Sequence, residues 1–244
     1  MQDDLKRARA LLDNATAVTV LTGAGISAES GIPTFRDALT GLWENFRPEE
    51  LATPEAFEAN PKLVWDWYAW RRAKVAEAQP NPGHLALVEI ENACRERDVD
   101  FTLITQNVDG LHELAGTRRL VELHGNIRRV KCLDNGHAVK RWPETDGVPK
   151  CPHCGSLLRP DVVWFGESLP GEALVQAVAA ARSCEVFLCV GTSTVVEPAA
   201  SLPFLALDEG AKVIEVNPTP TPLTRRATIV IAGAAGEVLP HLVC

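Results

Sequence analysis

Three cysteines of this 244-residue chain have the spacing of a metal site. Cys151-Pro152-His153-Cys154-Gly155 is a Cys-x-x-Cys segment of the zinc-knuckle type, and Cys132 precedes it. The chain has seven cysteines, an odd number at uneven spacing, and its N-terminal segment lacks the apolar core of a signal peptide. We therefore expect a reducing, cytoplasmic compartment, where Cys-x-x-Cys indicates metal or redox chemistry rather than a structural disulfide.

A glycine-rich turn follows the first apolar run. The segment Gly23-Ala24-Gly25-Ile26-Ser27-Ala28 fits the pattern G-x-G-x-x-A directly after a predicted strand. Such glycines let the backbone approach a pyrophosphate, although two glycines in a tight turn can also serve packing alone. The acidic residue that a dehydrogenase would place about 20 residues later is absent. The Gly- and Pro-containing segment 29–37 is instead typical of a mobile cover over a ligand.

One arginine stands on the apolar face of a predicted helix. The pair Asn60-Pro61 has the features of a cap and a first turn, and the helix extends to about residue 78. Arg71 falls within the arc of apolar side chains and near Tyr68, whereas Arg72 points beyond that arc. Because an unpaired buried charge is costly, Arg71 needs an acceptor or a path to solvent. From the residues alone, the partner of Arg71 can equally be a carboxylate elsewhere in the chain.

The scaffold predicted for these residues is a parallel sheet. Several nearly unbroken apolar runs end in small or polar residues, as strands covered on both faces do. Helices predicted over 5–12, 84–97, 171–181 and 199–209 separate them. This alternation indicates an α/β fold with a Rossmann-like doubly wound parallel sheet, whose ligands bind at the carboxyl ends of the strands. The predicted strands are 17–21, 101–104, 186–190, 212–216 and 228–231.

Two segments interrupt the alternation. Residues 36–80 are rich in Trp, Pro and Glu and are predicted to form a helical insert. Residues 128–166 carry the three spaced cysteines and are predicted to form a zinc-ribbon-like insert. We expect both inserts to form a small domain beside a Rossmann-like domain composed of 1–35, 81–127 and 167–244.

The charge balance argues against some partners. The chain has 24 Lys and Arg against 32 Asp and Glu, a formal net charge of −8. It therefore has no net attraction to nucleic acid or anionic lipid. The sequence also has no long basic run and no stretch of about 18 apolar residues. We expect neither a nucleic-acid partner nor a membrane partner.

The motifs together resemble those of the sirtuins. The likeness is carried by Gly23 to Arg36, by Thr105-Gln106-Asn107-Val108-Asp109-Gly110-Leu111-His112 and by Leu123-His124-Gly125-Asn126, and it extends from about residue 17 to residue 239. It implies an NAD-dependent protein-lysine deacylase whose partners are acylated-lysine proteins. The cofactor contacts that it implies are Gly23, Ala24, Gly25, Phe35, Arg36, Gln106, Asn107, Asp109, Gly191, Thr192, Ser193, Asn217 and Ala235.

The resemblance makes His124 the catalytic base. In the family, the acyl-lysine carbonyl oxygen attacks the ribose carbon that bears nicotinamide, and the histidine then deprotonates a ribose hydroxyl. The products are free lysine, nicotinamide and O-acyl-ADP-ribose. A histidine suits this step because its ordinary pKa, about 6.5, leaves it partly neutral at physiological pH. His112 is the strongest rival, and we interpret it as structural.

The resemblance also implies a substrate. Tyr68-x-x-Arg71 matches the class III, desuccinylase-type branch, in which the hydroxyl and guanidinium hold the carboxylate of a succinyl, malonyl or glutaryl group. Val163 and Phe165, together with segment 195–198, match the strands that flank the substrate backbone. Three alternatives remain: mainly deacetylation, mono-ADP-ribosyl transfer to protein, and NAD sensing without catalysis.

The metal site departs from the family pattern. Sirtuins pair two Cys-x-x-Cys segments, but Asn135 stands where the second cysteine would be. The ligands implied here are Cys132, Cys151 and Cys154, with His137 as the candidate for the fourth. Alternatively the site is weak or empty, and packing holds the module together.

Overall fold

The structure is a computed structural model that describes residues 1–32, 47–143 and 145–243. Phe35 and Arg36, which were predicted to contact the cofactor, lie outside the described residues. The described helices include none with the length and apolar character needed to span a bilayer.

The described residues form nine strands and nine α-helices. The strands are β1 (Ala17–Thr22), β2 (Asp100–Thr105), β3 (Leu120–Glu122), β4 (Gly125–Cys132), β5 (Ala138–Val139), β6 (Leu158–Val162), β7 (Val186–Val190), β8 (Lys212–Val216) and β9 (Ile229–Ile231). The helices are α1 (Gln2–Asn14), α2 (Pro48–Leu51), α3 (Pro54–Ala59), α4 (Pro61–Glu77), α5 (Pro82–Glu96), α6 (Leu111–Ala115), α7 (Gly171–Ser183), α8 (Leu202–Asp208) and α9 (Ala235–Val238).

Six strands form a parallel sheet in the order β3-β2-β1-β7-β8-β9. The predicted Rossmann-like doubly wound sheet is thereby confirmed, and each predicted strand is present within one residue at each end. β3 was not predicted, because it has only three residues and shows no long apolar run.

Helices cover both faces of this sheet. Side chains of α1, α5 and α9 pack with one face in a single apolar cluster, and those of α7 and α8 pack with the other. Helix α5 begins earlier than residue 84, where it was predicted to begin. The Asn81 side-chain oxygen accepts from the N–H groups of Gly83 and His84, and Pro82 occupies the first turn. This cap sets the start of the helix.

A second, antiparallel sheet has the order β5-β4-β6. Helix α4 packs against it, since Trp67 and Tyr68 share an apolar cluster with Ile127 of β4 and with Trp164. The Asn60 side chain accepts from the Leu63 N–H at 3.1 Å, which is the cap that the sequence predicts for this helix. The predicted helical insert and the cysteine-bearing insert therefore contact each other.

Gly125 joins the two sheets at the start of β4. Its φ is +77°, and a Cβ atom there would collide with the carbonyl oxygen of Asp161 on β6. Gly125→Ala should therefore lower the free energy of unfolding by about 2–4 kcal/mol, the sum of left-handed strain and overpacking. The matched control is Gly210→Ala, where φ is +96° and a Cβ would have no atom within 4 Å. Urea denaturation compares the two variants, and equal losses would show that β6 moves aside.

Candidate active site

The carboxyl ends of β1 and β7 meet where the strand order reverses. Loops leave the two strands in opposite directions there, which opens the crevice that binds ligands in such sheets. The Gly25 N–H donates to the Gly191 carbonyl oxygen at 2.8 Å, and the Gly23 N–H donates to that of Val190 at 3.0 Å. A Cβ on Gly25 would lie 2.7 Å from the Gly191 Cα. Packing between the loops thus requires these glycines whether or not a phosphate is bound.

A buried hydrogen-bonded group lies beside the glycine turn. The Ser27 hydroxyl donates to Asp109 Oδ2 at 2.7 Å, and Asn107 Nδ2 donates to Ser27 Oγ and to the Gly23 carbonyl, both at 3.1 Å. The other Asp109 oxygen accepts from the Leu111 N–H at 2.8 Å. The carboxylate is therefore fixed before any ligand arrives. Sequence reasoning did not select Ser27, and its place within the glycine turn was the available signal.

His124 lies between β3 and β4 with its ring partly buried. Its Nδ1 is 2.8 Å from the Gln106 carbonyl oxygen. Because a carbonyl only accepts, Nδ1 carries the proton and Nε2 keeps a lone pair. Burial lowers the pKa of His124, while the bond to Gln106 opposes that shift. The neutral ring therefore has its lone pair on Nε2, the form that a general base requires.

Two further observations concern the neighbours of this histidine. Gln106 Nε2 donates to Thr192 Oγ1 at 2.9 Å, which joins the loop after β2 to the loop after β7. The rival His112 is buried, with Nε2 2.9 Å from Thr22 Oγ1. Burial and the nearby His84 lower the pKa of His112 to about 3. This enclosed position suits a structural residue.

The residues predicted to contact adenosine lie at the same edge of the sheet. Ser193, Asn217 and Ala235 follow β7, β8 and β9, respectively. Asn217 Nδ2 donates to the Thr219 carbonyl oxygen at 2.6 Å, so its side-chain oxygen remains available as an acceptor. Ala24 and Gly25, at the end of β1, are partly buried. The fold therefore brings the described members of the predicted set to one edge.

Tyr68 and Arg71 lie one turn apart on α4. Tyr68 is fully buried, and its hydroxyl accepts a hydrogen bond from Trp164 Nε1 at 3.1 Å. The guanidinium carbon of Arg71 is 4.9 Å from the ring centroid of Trp67 and 5.6 Å from that of Tyr68. Burial raises the pKa of Tyr68, and burial lowers the pKa of Arg71. Both shifts follow from the exclusion of water from the two side chains.

Arg72 differs from Arg71 in its neighbours rather than in exposure. Both arginines are partly buried. Arg72, however, lies over Trp65 and Trp142, at 4.9 and 5.8 Å from their ring centroids. Trp65 belongs to the apolar cluster of the cysteine-bearing sheet. The helical pattern therefore predicted correctly that the two arginines diverge, although Arg72 is more buried than that pattern suggests.

The three predicted cysteine ligands come together. The Sγ atoms of Cys132, Cys151 and Cys154 lie within 4.8 Å of one another. That of Cys132 is 3.5 Å from that of Cys154, close to the thiolate separation of about 3.8 Å in a tetrahedral zinc site. His137 Nε2 is 3.0 Å from Cys151 Sγ, but His137 is not in this mutual group among the described residues. Asn135 Nδ2 lies 3.3 Å from Cys154 Sγ.

The segment predicted to flank the substrate continues from β6. The Val163 N–H donates to the His124 carbonyl oxygen at 2.9 Å, and the Phe165 N–H donates to that of Ala52 at 2.9 Å. The Phe165 side chain is 45% exposed. Val195, on the loop after β7, is also exposed. The main chain from Val163 to Phe165 thus contacts both the His124 backbone and Ala52, which directly follows α2.

Comparison with known proteins agrees with this geometry. Residues 23–198 match the Sir2 family. The NAD-dependent protein deacylase of Aquifex aeolicus (strain VF5) is 57% identical over 218 residues, which cover 88% of this chain and 89% of that protein. A crystal structure of a Sir2 homologue–NAD complex is 48% identical with a TM-score of 0.90, and the match covers 98% of this chain and 92% of that one. A structure of Sir2 bound to acetylated peptide is 30% identical with a TM-score of 0.85, over 98% of this chain and 96% of that one.

The family match spans more than half of the chain, and the relatives align over nearly their whole length. The doubly wound sheet of this chain is therefore the one found in Sir2 homologues. The chain belongs to the Sir2 family and is an NAD-dependent protein deacylase.

Proposed function

We propose that this deacylase removes succinyl- and malonyl-type acyl groups, as well as acetyl, from protein lysines, and releases nicotinamide and O-acyl-ADP-ribose. The observation that carries the proposal is that the Arg71 guanidinium lies over the rings of Trp67 and Tyr68, next to the buried hydroxyl-bearing ring that Trp164 contacts. A hydroxyl donor beside a guanidinium is the combination that binds a carboxylate.

Arg71 supplies the charge that an acidic acyl group needs. Its guanidinium stacks on Trp67 and Tyr68, where burial lowers its pKa. A cation in such surroundings interacts more strongly with an anion than an exposed one does. Its planar fork also matches both oxygens of a carboxylate. Because the whole chain has a net charge of −8, recognition of an acidic group requires a local cation of this kind.

His124 is assigned as the proton acceptor. Nδ1 is committed to the Gln106 carbonyl, so Nε2 is the nitrogen that can take a proton from a hydroxyl. When bound, NAD supplies the ribose carbon that exchanges nicotinamide for the acyl oxygen. The residues assigned to bind NAD are the separate contacts that the resemblance implies, of which Gly23 is the first and Ala235 the last in the chain. Val163 and Phe165 are assigned to flank the substrate backbone.

The second candidate is an enzyme that acts mainly on acetyl-lysine. It is favoured by the similarity to a structure of Sir2 bound to acetylated peptide. Acetyl carries no charge, so its removal would use His124 and the cofactor loops without a need for Arg71. The two candidates therefore differ in what they require of α4.

We expect Arg71→Met to lower kcat/KM for a succinyl-lysine peptide by about 10- to 100-fold more than for the matching acetyl-lysine peptide. The reason is that a charge-assisted hydrogen bond contributes about 1.5–3 kcal/mol. Steady-state kinetics with both peptides measure the ratio. Arg72→Met is the matched control, because it removes a neighbouring stacked cation and should leave the ratio unchanged. His124→Ala should abolish turnover of both peptides, and equal losses in Arg71→Met would support the acetyl-specific candidate.

The cysteine cluster is proposed to hold a structural zinc ion. Three thiols at the observed separations fit three vertices of a tetrahedral site. We assign the fourth vertex to His137, whose Nε2 is 3.0 Å from Cys151 Sγ and would move closer to the other two thiols when the metal binds. Zinc there would fix the turns that end β4 and precede β6. Such a site needs reduced thiols, which agrees with the cytoplasmic location that we propose.

Metal analysis should find about one zinc per chain, with loss of zinc in Cys151→Ser. We expect His137→Ala to release zinc to a chromophoric chelator at about 10- to 100-fold lower chelator concentration, because one ligand is lost. Asn135→Ala is the control, since it removes a polar side chain that lies 3.3 Å from Cys154 Sγ. Unchanged affinity in His137→Ala with weakened affinity in Asn135→Ala would reassign the fourth position to Asn135.

A further inference from the structure

The indole of Trp164 packs against Tyr68, with their ring centroids 6.5 Å apart. We propose that Trp164 is a positioning residue for acyl recognition: its Nε1–H donates to Tyr68 Oη and thereby turns the Tyr68 hydroxyl proton toward the pocket beside Arg71. This inference deepens the proposed function and rests on it.

The direction of this hydrogen bond follows from the chemistry of the two groups. An indole N–H can only donate, so Tyr68 Oη must use a lone pair to accept it. The phenol proton then points away from Trp164 and is available to an acceptor elsewhere. Burial raises the pKa of Tyr68, so the hydroxyl keeps this proton at neutral pH. Without Trp164 Nε1, the hydroxyl would be free to rotate and to act as donor or acceptor.

Trp164 is itself held in place on two sides. The guanidinium carbon of Arg159 lies 3.4 Å from the centroid of its ring. Two hydrogen bonds, at 2.5 and 2.8 Å, join Arg159 to Glu167, and the same carboxylate accepts from the Trp164 backbone N–H at 2.8 Å. Trp164 is 2% exposed. A buried ring held by a partly buried ion pair and by its own backbone cannot turn its N–H away from Tyr68 at low cost.

The same segment reaches the catalytic histidine. Val163, the residue before Trp164, donates to the His124 carbonyl oxygen. The main chain that flanks His124 therefore also sets the position of the indole. A single residue step separates the contact with His124 from the contact with Tyr68. The two consecutive residues Val163 and Trp164 thus position both the proposed general base and the proposed acyl-binding hydroxyl.

The kinetic test is Trp164→Phe, which keeps an aromatic ring but removes the donor. We expect the ratio of kcat/KM for succinyl-lysine against acetyl-lysine peptide to fall by about three- to tenfold, the effect of one neutral hydrogen bond. In the Tyr68→Phe background the same substitution should leave the ratio unchanged, because the acceptor is already gone. Trp142→Phe is the control, since that indole stacks with Arg72 instead. An equal fall in the Tyr68→Phe background would overturn the inference.

The spectroscopic test uses the single tyrosine of the chain. The Raman doublet of a phenol distinguishes an accepting from a donating hydroxyl, and here it reports Tyr68 alone. Site-specific benzothienylalanine at position 164 preserves the shape of tryptophan with sulfur in place of N–H, which avoids a folding defect. We expect it to lower the acceptor character of Tyr68 in the free protein. Succinyl peptide should increase donor character in the unsubstituted protein, and acetyl peptide should not.

The outcomes separate this inference from the function on which it rests. If Arg71→Met lowers the succinyl-to-acetyl ratio and Trp164→Phe does not, the inference on Trp164 fails alone. If Arg71→Met leaves the ratio unchanged, the proposed acyl preference fails, and the Raman doublet still decides whether Trp164 orients Tyr68. An unchanged doublet in the benzothienylalanine variant would overturn the inference in either case.

Discussion

The pairing of β4 with β6 is the constraint on which the site depends. β4 begins beside His124 and ends at Cys132, so one strand links this histidine to the cysteine cluster. Pairing of Gly125 with Val162 leaves Val163 to donate to His124 and places Trp164 against Tyr68. A slip of one residue would turn each side chain to the opposite face. Gly125 permits this register, because any side chain there would meet the Asp161 carbonyl.

At the carboxyl edge of the parallel sheet, polar groups are already paired with one another. Ser27, Asn107 and Asp109 hold each other in place, and Gln106 joins two loops through its side chain while its carbonyl sets the tautomer of His124. Groups fixed in this way need little reorganisation when a ligand binds. The proton-accepting nitrogen is thus selected by a backbone carbonyl rather than by a neighbouring acid.

The two consecutive arginines of α4 show how a helix assigns different tasks to similar residues. Arg71 faces Trp67 and Tyr68, while Arg72 faces Trp65 and Trp142 beside the cysteine-bearing sheet. Successive residues on a helix point about 100° apart, so the cations diverge although both stack on aromatic rings. The aromatic residues of α4 therefore belong to two apolar clusters, one that contains Tyr68 and Trp164 and one that contains Cys132 and Cys151.

Much of the fold could be predicted because buried parallel strands and capped helices leave local signals. The apolar runs at Val186–Val190 and Lys212–Val216 predicted their strands, and Asn60 predicted the start of α4. The short strand β3 left no such signal, because it has only three residues. The pairing of β4 with β6 left none either, because neither strand is a long apolar run. Pro82 and the Asn81 cap were present in the sequence, but their consequence for α5 appeared only with the contacts.

Some features of the candidate site were likewise predictable from local sequence, and others were not. Local sequence determined the glycine turn, the Tyr68-x-x-Arg71 spacing, the cysteine pair and the presence of His124, because each is a matter of residue type at short range. Tertiary structure decided which nitrogen of His124 is basic, that Ser27 supports Asp109 and that Trp164 donates to Tyr68. The last two contacts join residues 82 and 96 positions apart. Hydrogen-bond direction at such separations depends on where the folded backbone brings each donor, and no local pattern contains that information.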